Sequence, residues 1–180
     1  MKLSTALRNA RATAIMNLLD AAATPGKLHV YGGGQPDPDK SITGMANHNV
    51  STAYVAGDYI GTTNYYRAET AGTTGGTAPT WPTDGSTVVD GGVTWQDMGP
   101  TPIKLGTLVL AQPSAVVANG ELTFNTIAEE ESAIASGTAT WARFTDGDNN
   151  NVLDGSLGTS EADFIINTTN VISGGPIRVT

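Results

Sequence analysis

Residues 137–158 read G-T-A-T-W-A-R-F-T-D-G-D-N-N-N-V-L-D-G-S-L-G, and this stretch decides the fold. In its first half Ala139, Trp141, the Arg143 stem and Thr145 alternate with Thr138, Thr140, Ala142 and Phe144, the period of two expected of a strand. Asp146 to Asn151 then supplies residues that tolerate left-handed backbone angles, so the chain turns sharply. Val152-Leu153-Asp154 starts a return strand that Gly155 and Gly158 punctuate. The pattern predicts a β-hairpin with Trp141 as its core anchor.

The flanking sequence extends this into a sheet. Lys27–Tyr31, Ile103–Leu110, Gly120–Asn125, Ala162–Asn167 and Val171–Val179 each read as a further strand, and Glu129-Glu130-Glu131 as an exposed polar bend. One helix precedes them. Leu3, Leu7, Ala10, Ala14 and Leu18 recur at helical spacing across residues 3–23, widened by Ile15, Leu19 and Ala22. Ser4 or Thr5 can cap the start, and Thr24-Pro25-Gly26 stops the helix. Its apolar stripe is expected to pack on protein, either its own sheet or a neighbouring subunit. The expected class is mainly β, a β-sandwich or jelly-roll-like domain with one N-terminal helix.

Residues 46–100 change character. They hold Tyr54, Tyr59, Tyr65, Tyr66, Trp81 and Trp95, six of the eleven aromatic residues in the 180-residue chain. The division expected is therefore a β-sandwich anchor of residues 1–45 plus 101–180, with a small β-rich aromatic module of residues 46–100 inserted into it. A piece that short buries only about 60% of its unfolded surface, so it is expected to lean on its host or on symmetry mates.

Composition narrows the function. The chain has 22 Gly, 14% charged residues and no Cys, which excludes disulfides and thiolate metal sites. Net charge is −8, and the nine Lys and Arg are scattered, so no basic stripe is available for nucleic acid. No apolar run is long enough to cross a bilayer as a helix, and no secretory leader is recognisable, so a soluble product of a reducing cytoplasm is expected. Gly32-Gly33-Gly34 lacks the Gly-Lys-Ser/Thr of a phosphate loop. His29 and His48 share no spacing that would hold a metal. Asp146, Asp148 and Asn150 have the alternation of a calcium loop, but Asn151 stands where that loop needs Gly and Leu157 where it needs Glu. A hairpin turn accounts for the same residues. No nucleophile elbow is present, and Asp84, Asp90 and Asp97 lie in a module too small for a deep glycosidase cleft. A non-catalytic protein without cofactors is expected.

Two resemblances add to this reading. L-S-T-A-L-R-N-A-R near the start, Y-G-G-G-Q-P, G-T-A-T-W-A-R-F-T-D-G-D and V-L-D-G-S-L-G-T-S make residues 1–45 and 103–180 resemble small virion structural proteins of tailed bacteriophages. That resemblance implies a capsid decoration, or cement, protein on the outer surface of the virion head. Its partner would be the major capsid protein, and its form a homo-oligomer, a trimer first. Residues 50–99 carry A-Y-V-A-G-D-Y-I, Y-Y-R-A-E-T-A-G-T-T-G-G-T-A-P-T-W-P and V-V-D-G-G-V-T-W. They are similar to small carbohydrate-binding-like modules of phage surface proteins. This implies an alternative role, adhesion to host or mucus glycans from the tail or the head.

Sugar binding would stack flat rings on pyranose faces. Tyr65, Tyr66 and Trp81 are the candidates, because adjacent tyrosines on a strand point to opposite faces and Trp81 lies between prolines in a loop. The competing expectation is that Tyr54, Tyr59, Trp81 and Trp95 form the module's small core, and for each ring taken singly that is the more economical one.

Overall fold

The structure is a computed structural model that describes residues 2–40, 45 and 47–179. It is mainly β with a single N-terminal helix among the described residues, in a β-sandwich-like class. In chain order the elements are α1 (Thr5–Leu19), β1 (Lys27–Gly32), β2 (Ala53–Tyr54), β3 (Tyr59–Gly61), β4 (Asn64–Ala68), β5 (Gly72–Thr73), β6 (Thr87–Asp90) and β7 (Val93–Pro100). They continue with β8 (Ile103–Val109), β9 (Ala115–Ala118), β10 (Glu121–Phe124), β11 (Gly137–Thr145), β12 (Asn151–Gly158), β13 (Phe164–Ile165) and β14 (Asn170–Val171).

Two compact units result. A host unit runs to Gly32 and resumes at Ile103, while an inserted unit spans Gly33–Pro102. The insert thus begins earlier than residue 46 and ends slightly later than residue 100. The reason is local bonding: Gly34 N–H donates to Pro100 O at 2.8 Å, and the Tyr65 hydroxyl donates to Gln35 O at 3.0 Å. Gly33, at φ +86°, sits where a Cβ would stand 2.7 Å from Thr101 O, so only glycine closes this junction without strain. Residues 41–44 and 46, beside the expected boundary, lie outside the described residues.

The 137–158 hairpin is β11–β12, at the middle of the host sheet, whose order is β13-β12-β11-β1-β8 with β14 pairing the start of β11. Its core face differs from the one expected. Leu28 and Val30 stand opposite Phe144 and Ala142, and these form the aliphatic core with Leu105, Leu108, Leu157 and Ile177. Each buried Leu, Val, Ile or Phe among them contributes about 1.5–3 kcal/mol. Trp141 is 1% exposed but lies on the other face, stacked on Tyr31 with ring centroids 4.4 Å apart. It is an anchor, of the opposite side. A register shift between Tyr31 and Gly32 skips Thr140, so Ala139 joins the Ala142 side instead of the Trp141 side.

The outer edge of β8 is protected. Ala128 N–H donates to Val109 O at 3.1 Å, Ile134 N–H to Leu105 O at 2.8 Å, and the Glu130 carboxylate accepts Thr107 N–H at 3.2 Å. Glu130 is therefore half-buried and bridged to Ile177, while Glu129 and Glu131 are exposed as expected.

The helix is shorter than its sequence pattern, and it faces the other way. Ser4 Oγ accepts Leu7 N–H at 3.2 Å as the N-cap. Ala12 and Leu19 are buried, whereas Leu7 is 48% and Leu18 56% exposed, and Ala10 and Ala14 are also exposed. Most of the expected stripe, Leu7, Ala10, Ala14, Ile15 and Leu18, faces solvent, and only its Leu19 and Ala22 flank is buried. Polar clamps hold the helix instead: Asn9 Oδ1 accepts Gly120 N–H in the β9–β10 turn, and the Asp20 carboxylate accepts Ser114 N–H at 2.9 Å. The bond to the Asp20 carboxylate is worth about 1.5–3 kcal/mol and the one to the neutral Asn9 amide about 0.5–1.5 kcal/mol, enough together to orient a helix that buries little.

The inserted unit contains a four-stranded sheet of order β3-β4-β7-β6 and a small β2–β5 pair. Its core is Ile60, Tyr66, Ala68, Val93 and Trp95, with Tyr54, Trp81 and Val88 packed against them.

Candidate functional site

The aromatic residues expected as sugar platforms come together as a core. Tyr65 and Tyr66, adjacent on β4, do point to opposite faces, but each is only 1% exposed. Both faces of the sheet are covered. On one side Gly34 lies against the Tyr65 ring so closely that an added Cβ would stand 2.6 Å from it, and Tyr59 approaches at 5.7 Å between centroids. On the other, the Tyr66 hydroxyl donates to Pro82 O at 2.8 Å, and Trp81 packs on the ring at 4.6 Å. Burial pushes the Tyr65 hydroxyl up to about 12, so it stays a neutral donor. Trp81 is half-buried, edge-on to Trp95 at 6.2 Å and to His48 at 5.3 Å. None of the three presents a fully open face.

His48, which sequence spacing leaves without a partner, has one in space. Its Nε2 lies 2.7 Å from Asp90 Oδ2, and Asp90 Oδ1 accepts Gly75 N–H at 2.8 Å. The His48 and Asp90 side chains are 6% and 2% exposed, so the pair clasps the segment before β2 to the end of β6 and is closed to substrate.

The insert does carry an open groove of about 590 Å³. It lies among β4, β7 and the loop at residues 83–85, and its lining includes Asn64, Arg67, Glu69, Gln96, Met98 and Pro100. Asp97 is its organiser. One carboxylate oxygen accepts Asn64 Nδ2 at 2.8 Å and Gly99 N–H at 3.0 Å, and the other accepts Gly85 N–H at 3.0 Å. Burial pushes the Asp97 carboxyl up, but these three donors outweigh it, and the group is held below the usual carboxylate range. A buried anion thus ties three chain segments into one wall. At the rim, Arg67 Nε and Nη2 meet Glu69 Oε1 at 2.8 and 2.6 Å, both side chains remaining well exposed. Gln96 Nε2 donates to Gly85 O, bracing the loop.

The calcium-like run on the host is a turn. Asp146 is 6% exposed, and its oxygens accept Asp148 N–H at 2.9 Å, Asn150 N–H at 2.8 Å and Asn150 Nδ2 at 2.8 Å. Asn149 takes the left-handed conformation at φ 68°, and the Lys27 ammonium donates to Asn149 Oδ1 at 2.9 Å. The Asp146 carboxylate is engaged within the turn and the Lys27 ammonium of β1 on its outer side, while Asp148 is exposed. Among the described residues no group of three His, Asp or Glu could hold a metal.

A second polar array lies on the Trp141 face of the host sheet. His29 Nδ1 meets Thr107 Oγ1 at 2.9 Å, and Arg143 grips Asp154 through Nε at 2.8 Å and Nη2 at 2.7 Å. Arg143 also lies over the Trp141 ring, 5.6 Å from its centroid. Burial, then the nearby Lys104, Lys27 and Arg143 charges, push His29 down to about 4, so it is neutral near pH 7. These residues recur at cross-strand positions, His29 opposite Arg143 and Arg143 opposite Asp154. Register is the one signal that could have joined them from sequence. The β4–β7 register likewise sets Arg67 opposite Gln96 and Asn64 opposite Pro100, while the 83–85 loop lies outside any such pairing. Comparison with protein families, with curated proteins and with solved structures finds no match to this chain.

Proposed function

We propose that this chain is a structural protein of a tailed-bacteriophage virion, a decoration protein that binds the outer surface of the head lattice through its host unit and displays the inserted unit. The observation that carries the reading is the junction. Gly32 on β1 stands opposite Ile103 on β8, so a compact unit leaves and re-enters the host sheet at one rung without breaking its strand order. That is the construction expected of an anchor carrying a passenger. The solvent face of α1, with Leu7, Ala10, Ala14 and Leu18, supplies an apolar surface for the major capsid protein or for the neighbouring copies of a trimer. Binding confined to the assembled lattice stabilises it by mass action, with no chemistry required.

The test is quantitative mass spectrometry of purified virions, followed by excision of residues 33–102 with a two-residue turn in their place. A fixed lattice ratio to the major capsid protein, retained after excision, is the expected result; a handful of copies per particle would overturn the head assignment. A Leu18→Glu chain should remain folded and lose its place on the particle. A second reading, adhesion to host or mucus glycans from tail or head, is favoured by the open groove of the insert.

A further inference from the structure

We propose that the groove between β4, β7 and the 83–85 loop binds a neutral, hydroxyl-rich ligand, one or two pyranose rings of an uncharged glycan. This inference rests on the adhesion reading and moves it away from the aromatic rings, which are spent on the core.

Three features of the groove select that class. Its volume of about 590 Å³ falls within the range of small-ligand sites, about 300–1,000 Å³. Its rim offers donors and acceptors side by side: Arg67 and Glu69 are joined only through Glu69 Oε1, which leaves Oε2 and further guanidinium N–H groups outside the pair. A planar donor next to a carboxylate acceptor matches a vicinal diol, in which each hydroxyl both donates and accepts. The Asn64 and Gln96 amide nitrogens brace the wall, bonded to Asp97 Oδ1 and to Gly85 O and Asp97 O, and Met98 and Pro100 give apolar surface for the C–H face of a ring.

Charge decides against the nearest alternatives. Among the lining residues Arg67 is the one cation, against Glu69 and Asp97, on a chain of net charge −8. A sialylated, uronate or phosphorylated ligand would meet a net negative rim. The site is also built before any ligand arrives. Asp97 fixes Asn64, Gly85 and Gly99, so little ordering cost remains for binding. No aromatic ring lines the groove, so single-site affinity is weak and many copies on one particle would supply avidity.

The experiment is a two-dimensional NMR titration of the full chain with N-acetylglucosamine tetramer, maltotetraose and galacturonate tetramer. Expected are shifts at the Gly85 and Gly99 amides, the Asn64 and Gln96 side-chain amides and Arg67 Nε, with one or both neutral oligosaccharides and not with the galacturonate. Arg67→Ala should weaken binding about tenfold, the scale of one charge-assisted hydrogen bond, and Glu69→Gln should weaken it less. An unchanged Trp95 indole signal in both variants would establish that the core is intact. Preference for galacturonate, or neutral binding undiminished in Arg67→Ala, overturns the inference. Neutral binding with shifts elsewhere also overturns it and leaves the adhesion reading standing, whereas no binding by any of the three overturns the groove assignment and removes that reading's support.

Discussion

The host unit fills its interior with leucine, isoleucine, valine and alanine around Phe144, flanked by Phe124 and Phe164. The inserted unit fills a much smaller interior with Trp95, Tyr66, Trp81 and Tyr54. Short strands offer few inward positions, so each must bury more area, and aromatic rings bury about 150–250 Å² apiece. Tyrosine adds a polar tip that needs a partner, and Tyr65 and Tyr66 find theirs in Gln35 O and Pro82 O. High aromatic density in a short segment therefore marks a small core before it marks a ligand platform.

The largest effect separating the two interiors should come from Trp95→Ala. It is 0% exposed at the centre of the insert, and its loss should cost that unit about 3–5 kcal/mol. Native-state hydrogen exchange should show Tyr66 and Val93 amides losing protection while Val30 and Phe144 keep theirs. Loss of protection in both sets together would mean that the two cores act as one.

A smaller effect belongs to the host alone. His29 is held at about 4 against an ordinary value of 6.5, so below pH 6.5 the unfolded chain binds a proton that the folded chain refuses. This contribution to stability is complete above pH 6.5 and is lost as pH falls toward about 4, at most about 3 kcal/mol in all and less once solvent screening is counted. Asp146, held below the usual carboxylate range, loses its contribution only at still lower pH. Urea unfolding of the host should weaken across the upper window, and His29→Gln should flatten that slope. A slope unchanged in the variant would assign it to other groups.

The smallest effect tests the tyrosine tips. Tyr66→Phe keeps the ring and removes the bond to Pro82 O, which should cost the insert about 1 kcal/mol. A loss of several kcal/mol would mean that the hydroxyl, and not the ring, carries the packing.

What could be read from the sequence follows from how local each feature is. The β11–β12 hairpin was legible because alternation and turn residues act within neighbours in the chain. The face it buries was not, because the register shift at Gly32 and the cover over Trp141 depend on distant strands. The helix was visible but its orientation was not. Clamps at Asn9 and Asp20 outweigh an apolar stripe that periodicity alone would turn inward. The insert was visible as a change in composition, yet its first residues look like host loop until Gln35 meets Tyr65. The groove was invisible, since Asp97 gathers its parts from three separate segments.

The junction at Gly32 and Ile103 has a consequence for folding order. Closing an unstructured loop of about 70 residues costs about 3 kcal/mol more in chain entropy than closing a two-residue turn. The insert largely removes that burden once folded, because its Gly34–Pro100 bond draws its own ends together. β1 and β8 then meet as if joined by a short turn, so a chain whose insert is complete should pair them faster than one whose insert is still open. A passenger that folds by itself is, for its host, kinetically almost invisible.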